Sequence, residues 1–155
     1  MKRILILVMA LSMLLGAGSA LAQKTGGLAV SYAKPKGAFE GLVGNGYGLS
    51  SIFDYSMSGI VDLTLSLGWY NFDGITIFEG TNVKTDSFSM WEFSAGPQID
   101  FGRLYVGIEA GYYTNVDEWG LVPNVGIRKN MIDVCLRYKM TEDAEFYAFR
   151  LGFFF

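Results

Sequence analysis

Histidine is absent from all 155 residues, and cysteine occurs once, at Cys135. Without histidine the chain lacks the usual general base of neutral-pH catalysis, the commonest metal ligand and any serine–histidine pair. One thiol cannot close an intramolecular disulfide, so the fold is not stapled by a disulfide framework. Charge is sparse, at 17% of residues, and its balance is acidic, with a net charge of −3. That balance argues against nucleic acid as a partner. Long apolar runs are missing as well. Although 51% of residues are hydrophobic, nothing beyond residue 22 approaches the ~20 apolar residues of a spanning helix. Gly44-Asn45-Gly46-Tyr47-Gly48 is not a phosphate loop, because it has no Lys-Ser/Thr ending and leads into a strand.

The first residues form a distinct unit. Lys2 and Arg3 precede an apolar run from Ile4 to Leu15, and small residues follow at Ala20 and Ala22. A basic start, an apolar stretch and a small-residue site make a cleavable secretory signal peptide over 1–22. The single domain is then 23–155. Loss of Lys2 and Arg3 from 12 basic residues, against an unchanged 15 acidic ones, moves the net charge to about −5.

Within 23–155, alternation with period two recurs in eight segments: 26–34, 46–57, 60–72, 87–101, 104–113, 119–128, 131–140 and 145–155. Segment 60–72 alternates most cleanly, with Val61, Leu63, Leu65, Leu67 and Trp69 opposing Asp62, Thr64, Ser66 and Gly68. Segment 46–57 is less regular at Ser51 and Ile52, where a bulge is expected. Pro97 and Pro123 fall inside strands and each removes a ladder donor, so local bulges and a register offset are expected after both. The breaks are long after the first, third, fifth and seventh segments, and tight at 58–59, 102–103 and 129–130. Within the second long break, Ile75–Thr76–Ile77 extends the hairpin toward a turn at Glu79-Gly80.

The closing segment puts Tyr147, Phe149, Leu151, Phe153 and Phe155 on one face. A terminal Phe preceded by alternate hydrophobics resembles the closing strand of bacterial outer-membrane β-barrels. With the strand count and the alternation of loop lengths, the domain resembles the small barrels that include the OmpA transmembrane domain and OmpX. The resemblance implies an all-β fold, an eight-stranded antiparallel up-and-down transmembrane β-barrel preceded by the signal peptide. It further implies the outer membrane of a Gram-negative bacterium, with the lipid bilayer and lipopolysaccharide as surroundings. The outer-membrane assembly machinery would be engaged through the C-terminal strand. A closed barrel has no free edge, so the expected state is a monomer. Enzymatic outer-membrane barrels share a catalytic histidine, which this chain lacks, so no catalytic residue, cofactor or metal is expected.

Volume orients the two faces. Roughly thirty large apolar side chains share one face, too many for an eight-stranded interior just wide enough for its own side chains. The apolar face therefore points to lipid, and the small and charged face lines the bore. Trp69, Trp91, Tyr112, Trp119, Tyr138 and Tyr147 fall toward the external strand ends, as an aromatic girdle. Asp54, Asp62, Glu92, Asp100, Glu109 and Asp133 point inward against Arg128, Arg137, Lys139 and Arg150. In a cramped bore these must pair or stay hydrated, and the expected outcome is a structural polar plug. Cys135 shares this face as an inert buried thiol. The function implied is a structural or surface-interaction role. The alternatives are a narrow OmpW-like conduit for small hydrophobic or ionic solutes and a secreted lipocalin-like binding protein.

Overall fold

In a computed structural model, residues 24–76 and 85–155 are described. The signal-peptide segment 1–22 and the expected turn at Glu79-Gly80 lie outside them. The strands are β1 (Lys24–Lys36), β2 (Val43–Ser58), β3 (Val61–Gly74), β4 (Phe88–Phe101), β5 (Leu104–Tyr113), β6 (Glu118–Lys129), β7 (Ile132–Met140) and β8 (Glu145–Phe154). Each pairs antiparallel with its sequence neighbour, and β8 returns to β1, so the eight strands form a closed up-and-down barrel. The closing seam runs from Gly27↔Phe154 to Lys36↔Glu145. The Phe155 amide adds a bond of 2.8 Å to the Gly26 carbonyl. Closure satisfies every strand edge.

The short connections, 59–60, 102–103 and 130–131, gather at one end, here the turn end. Gly102 (φ 82°) and Asn130 (φ 55°) hold left-handed conformations there, which glycine and asparagine adopt at least cost. Two turns thus sit one residue later than the sequence pattern places them. The opposite, loop end carries longer connections, and the first of these contains an unforeseen 3-10 segment, Gly37–Gly41. Beyond β3 the pairing continues, with the Thr85 amide donating to the Ile75 carbonyl at 2.8 Å.

Three expected irregularities are corrected. Ser51 and Ile52 carry no bulge: pairing is continuous on both sides of them, and the register shifts of β2 lie between Val43 and Gly46 and between Ser56 and Ser58. Ser51 faces outward between Leu28 and Leu67, while Ile52 is fully buried. Pro97 does not offset the register, because Ala95↔Ala110 and Gln98↔Gly107 keep one alignment around it. Pro123 behaves alike, with Leu121↔Met140 and Asn124↔Arg137 in step. In each case the ladder omits pairs on the seam facing the missing donor and holds on the other seam, Leu63↔Pro97 and Ile108↔Pro123. The tight hairpin at the end of each strand keeps the count.

Burial is inverted relative to a water-soluble protein. Leu49 is 58% exposed and Phe149 52%, whereas Glu92, Asp133, Arg137 and Lys139 are 0% exposed. The inner face is also lopsided. Ala29, Ser31, Gly48, Ser50, Gly68 and Gly152 line the wall from β8 through β3, while Tyr105, Glu109, Tyr113, Arg137 and Lys139 reach in from β5 and β7. Small residues on one wall make room for large ones from the other, as a narrow eight-stranded interior requires. A Cβ at Gly48 would stand 2.6 Å from the Tyr70 ring. Gly48→Ala is therefore expected to lower stability by about 1–3 kcal/mol through overpacking, read as the denaturant midpoint of the folded barrel. An unchanged midpoint would show that Tyr70 is free to move aside.

Candidate functional site: the charged bore and its aromatic cap

Alternation sends all ten sequence-predicted charges inward, and strand register sorts eight of them into two groups. Nearer the loop end, Arg137 on β7 reaches across the bore. Its Nη2 donates to Glu92 Oε1 (3.0 Å) and Glu109 Oε2 (2.7 Å), with Ser94 Oγ at 3.1 Å. Ser94 Oγ also lies 2.5 Å from Glu109 Oε2, and Asn124 donates to Glu109 Oε1 at 3.0 Å. Lys139 forms a second ion pair with Glu92.

Nearer the turn end, Arg128 pairs with Asp54 at 2.6 Å and Asp133 at 3.4 Å. Arg150 reaches the other Asp133 oxygen at 3.3 Å. Thr64 and Tyr105 donate hydroxyl bonds of 2.8 Å to Asp54 and Asp133 respectively. Four carboxylates thus meet four cations in the bore, and each cation finds an acid within ion-pair distance. Charge balance is what makes such burial tolerable. Asp62 and Asp100 stand apart at the turn-end mouth. Asp100 accepts a bond from Gln98 at 3.0 Å, and among the described residues neither acid has an ion-pair partner. Cys135 is buried with a free thiol, directly opposite Arg150 in the β7–β8 register.

The inner face is not polar throughout, which corrects the sequence reading. At the loop end it becomes an apolar cluster of Tyr70, Phe72, Met90, Tyr113, Val122 and Phe146, joined by Phe39 from the 3-10 segment. Phe39 packs edge-on to Phe72 at 5.2 Å between centroids, and Phe72 to Phe146 at 5.1 Å. Lys139 joins the two regions, with its Nζ 3.9 Å from the Tyr70 centroid and 5.2 Å from that of Phe146. The missed signal lay in parity: Tyr70, Phe72 and Phe146 occupy the inward register of their strands.

The girdle residues project outward near the loop end and pair across seams. Trp69 is the register partner of Trp91, and Tyr112 and Trp119 are 5.5 Å apart. Tyr138 stacks on Tyr147 at 4.6 Å. Tyr147, Phe149, Leu151 and Phe153 of the closing strand face outward and are exposed, as is Phe155. Among the described residues, acids predominate on the loop-end surface, with Glu40, Asp73, Asp86, Asp117, Glu142 and Asp143 exposed beside Lys34 and Lys36. No clustered His, Cys, Asp or Glu set suited to a metal ion occurs among the described residues.

No protein-family model and no curated protein matches this chain. Solved structures do. The attachment invasion locus protein Ail of Yersinia pestis, in complex with the heparin analogue sucrose octasulfate, is 15% identical, with a TM-score of 0.55 over 88% of this chain and 100% of that one. Ail in a phospholipid bilayer nanodisc also gives a TM-score of 0.55 at 15% identity, over 86% of this chain and 100% of the other. A designed transmembrane β-barrel gives 0.55 at 14% identity, over 87% and 100%. These likenesses establish the fold that the strand register already describes: an eight-stranded closed antiparallel barrel of the architecture used by small outer-membrane proteins.

Proposed function

We propose that the chain is an integral outer-membrane barrel with a plugged bore and a structural or surface-interaction role. The observation that carries this is the inversion of the two faces: aliphatic and aromatic side chains stand exposed around the wall while ion pairs fill the centre. Water would leave that outer wall uncompensated, since contiguous apolar patches of this extent mark membrane or partner contact. A bilayer solvates it, with polar groups confined to the lumen. A lipocalin-like binder needs the opposite arrangement, an apolar interior to receive its ligand. The likeness to barrels studied in lipid supports the reading, as does the export signal read over 1–22.

The paired charges and the Phe39–Phe72–Phe146 cap act as the plug. The reading gives the barrel no enzymatic role, as the chain has no histidine, and makes it a monomer, as the closed sheet leaves no free edge. Ail binds a polysulfated heparin analogue; the exposed Glu40, Asp73, Asp86, Asp117, Glu142 and Asp143 here suit a cationic surface partner instead.

Planar-bilayer recording on the refolded protein tests the plug, and the expected trace is silent. Steady open-channel current would replace the plug by a narrow conduit of the OmpW kind. Recovery of the protein from the soluble periplasm without detergent would overturn the membrane reading itself.

A further inference from the structure

Ion pairing leaves a one-sided remainder in the bore. Among the described residues, the buried side-chain atoms with neither a hydrogen-bond nor an ion-pair partner are hydroxyls of serine and tyrosine and nitrogens of arginine. Each can donate a hydrogen bond, and none is an obligate acceptor. A buried donor without an acceptor is destabilising, so folded proteins provide one. The bore is short of acceptors, not of donors.

Strand register gathers the unpartnered groups. Ser31, Ser50, Ser66 and Ser94 form a belt of inward hydroxyls on four consecutive strands, β1 to β4. Ser31 lies opposite Gly48 and Ser50 opposite Gly68, so each next serine stands two residues along its strand from that glycine. Ser66 lies directly opposite Ser94. Ser94 is engaged with Arg137 and Glu109, whereas Ser31, Ser50 and Ser66 are buried without a partner. Arg150 meets the belt at its other end, directly opposite Ser31 across the β1–β8 seam. Arg137 is its diagonal neighbour on β7. Both guanidiniums are buried, and each reaches its acids through Nη2 alone, leaving Nε and Nη1 unpartnered. The paired carboxylates come from β2, β4, β5 and β7, and none of the ion pairs touches β1 or β3.

We propose that this belt holds a monovalent inorganic anion of about the size of chloride, enclosed in the bore as the barrel closes. Its partners are the hydroxyls of Ser31, Ser50 and Ser66 and the free N–H groups of Arg150 and Arg137. The small residues Ala29, Gly48 and Gly68 beside the serines leave room for one ion. A halide asks only for donors, which is what the belt offers. A water molecule would have to place two hydrogens of its own as well. The single negative charge lies against two guanidiniums, and hydrogen bonds to a charged partner are the stronger kind. The ion also gives β8, β1, β2 and β3 a polar fastening across the closing seam, where the ion pairs supply none.

The test uses the full mature chain refolded into detergent in sodium bromide, with sodium gluconate at equal ionic strength as the reference. The urea midpoint should rise with bromide and level off, as binding of one ion to the folded state requires. Ser31→Ala/Ser50→Ala keeps every ion pair and should raise the half-saturating bromide concentration by about tenfold or more, through loss of two hydrogen bonds to a charged partner. Crystals grown in bromide should give an anomalous peak within hydrogen-bond distance of Arg150 and Ser31. A midpoint that does not distinguish bromide from gluconate would overturn the site, as would an unchanged half-saturation in the double variant. Peaks confined to the outer surface would mean an adventitious ion only. Density at the belt without anomalous signal would hand the place to water. If the double variant does not refold, the crystal of the unaltered chain decides alone.

Discussion

Arg137→Met should lower the stability of the folded barrel by about 3–5 kcal/mol, the cost of stripping one partner from a buried ion pair. Arg137 is fully buried and contacts both Glu92 and Glu109. Removing it leaves two inward carboxylates bridged by Ser94, with Lys139 as the cation still paired to Glu92. Glu109 then has no cation among the described residues and keeps only hydroxyl and amide donors. Restoring charge balance should restore stability: in Glu109→Gln/Arg137→Met the Lys139–Glu92 pair survives and the removed charges cancel. Denaturant midpoints in one detergent, for the single and the double variant, check this. If the single variant matches the wild type, the ion pairs of Arg137 with Glu92 and Glu109 do not hold the barrel together. If the double variant is no better than the single one, Arg137 acts through packing and not through charge.

Leu65→Arg is the second large effect. Leu65 lies mid-strand in β3, pointing outward between Phe53 of β2 and Ala95 of β4. In a bilayer an arginine at the midplane of a barrel wall costs about 2–4 kcal/mol, and near the interface only about 0–1. Val61→Arg, at the first residue of the same strand, supplies the shallow comparison. A depth-dependent pair of midpoints in lipid would support the outward assignment. Equal and small losses at both positions would mean that the wall does not meet hydrocarbon.

Much of the barrel was legible before any coordinates. The span 104–113 coincides with β5 because its alternation is unbroken and the Gly102-Arg103 turn is tight. The parity of β3 and β8 likewise sorts Leu65 from Ser66 and Leu151 from Arg150. What misled was local. Ser51 looked like a register slip because a hydroxyl on an apolar face breaks the pattern. Leu28 and Leu67 flank it across both seams, so one polar residue is tolerated without any shift. Pro97 and Pro123 looked like bulges because each lacks a donor. A missing donor affects one seam only, and the other seam holds the alignment.

The residue string by itself determined the strand count and which face each side chain takes, because a period of two is a property of the extended chain; the up-and-down order was implied by the resemblance to small barrels and is seen in the strand pairing. It could not determine which inward groups meet. Glu92 and Arg137 are 45 residues apart in sequence, on strands that are not neighbours, and only the closure of β8 on β1 brings them across the bore. The same closure places Phe39, in a loop with no alternation to read, over Phe72 and Phe146. It also gathers Ser31, Ser50, Arg137 and Arg150 from four strands onto one belt of the bore. Pairings across a barrel depend on its diameter and stagger, and those belong to the closed sheet as a whole.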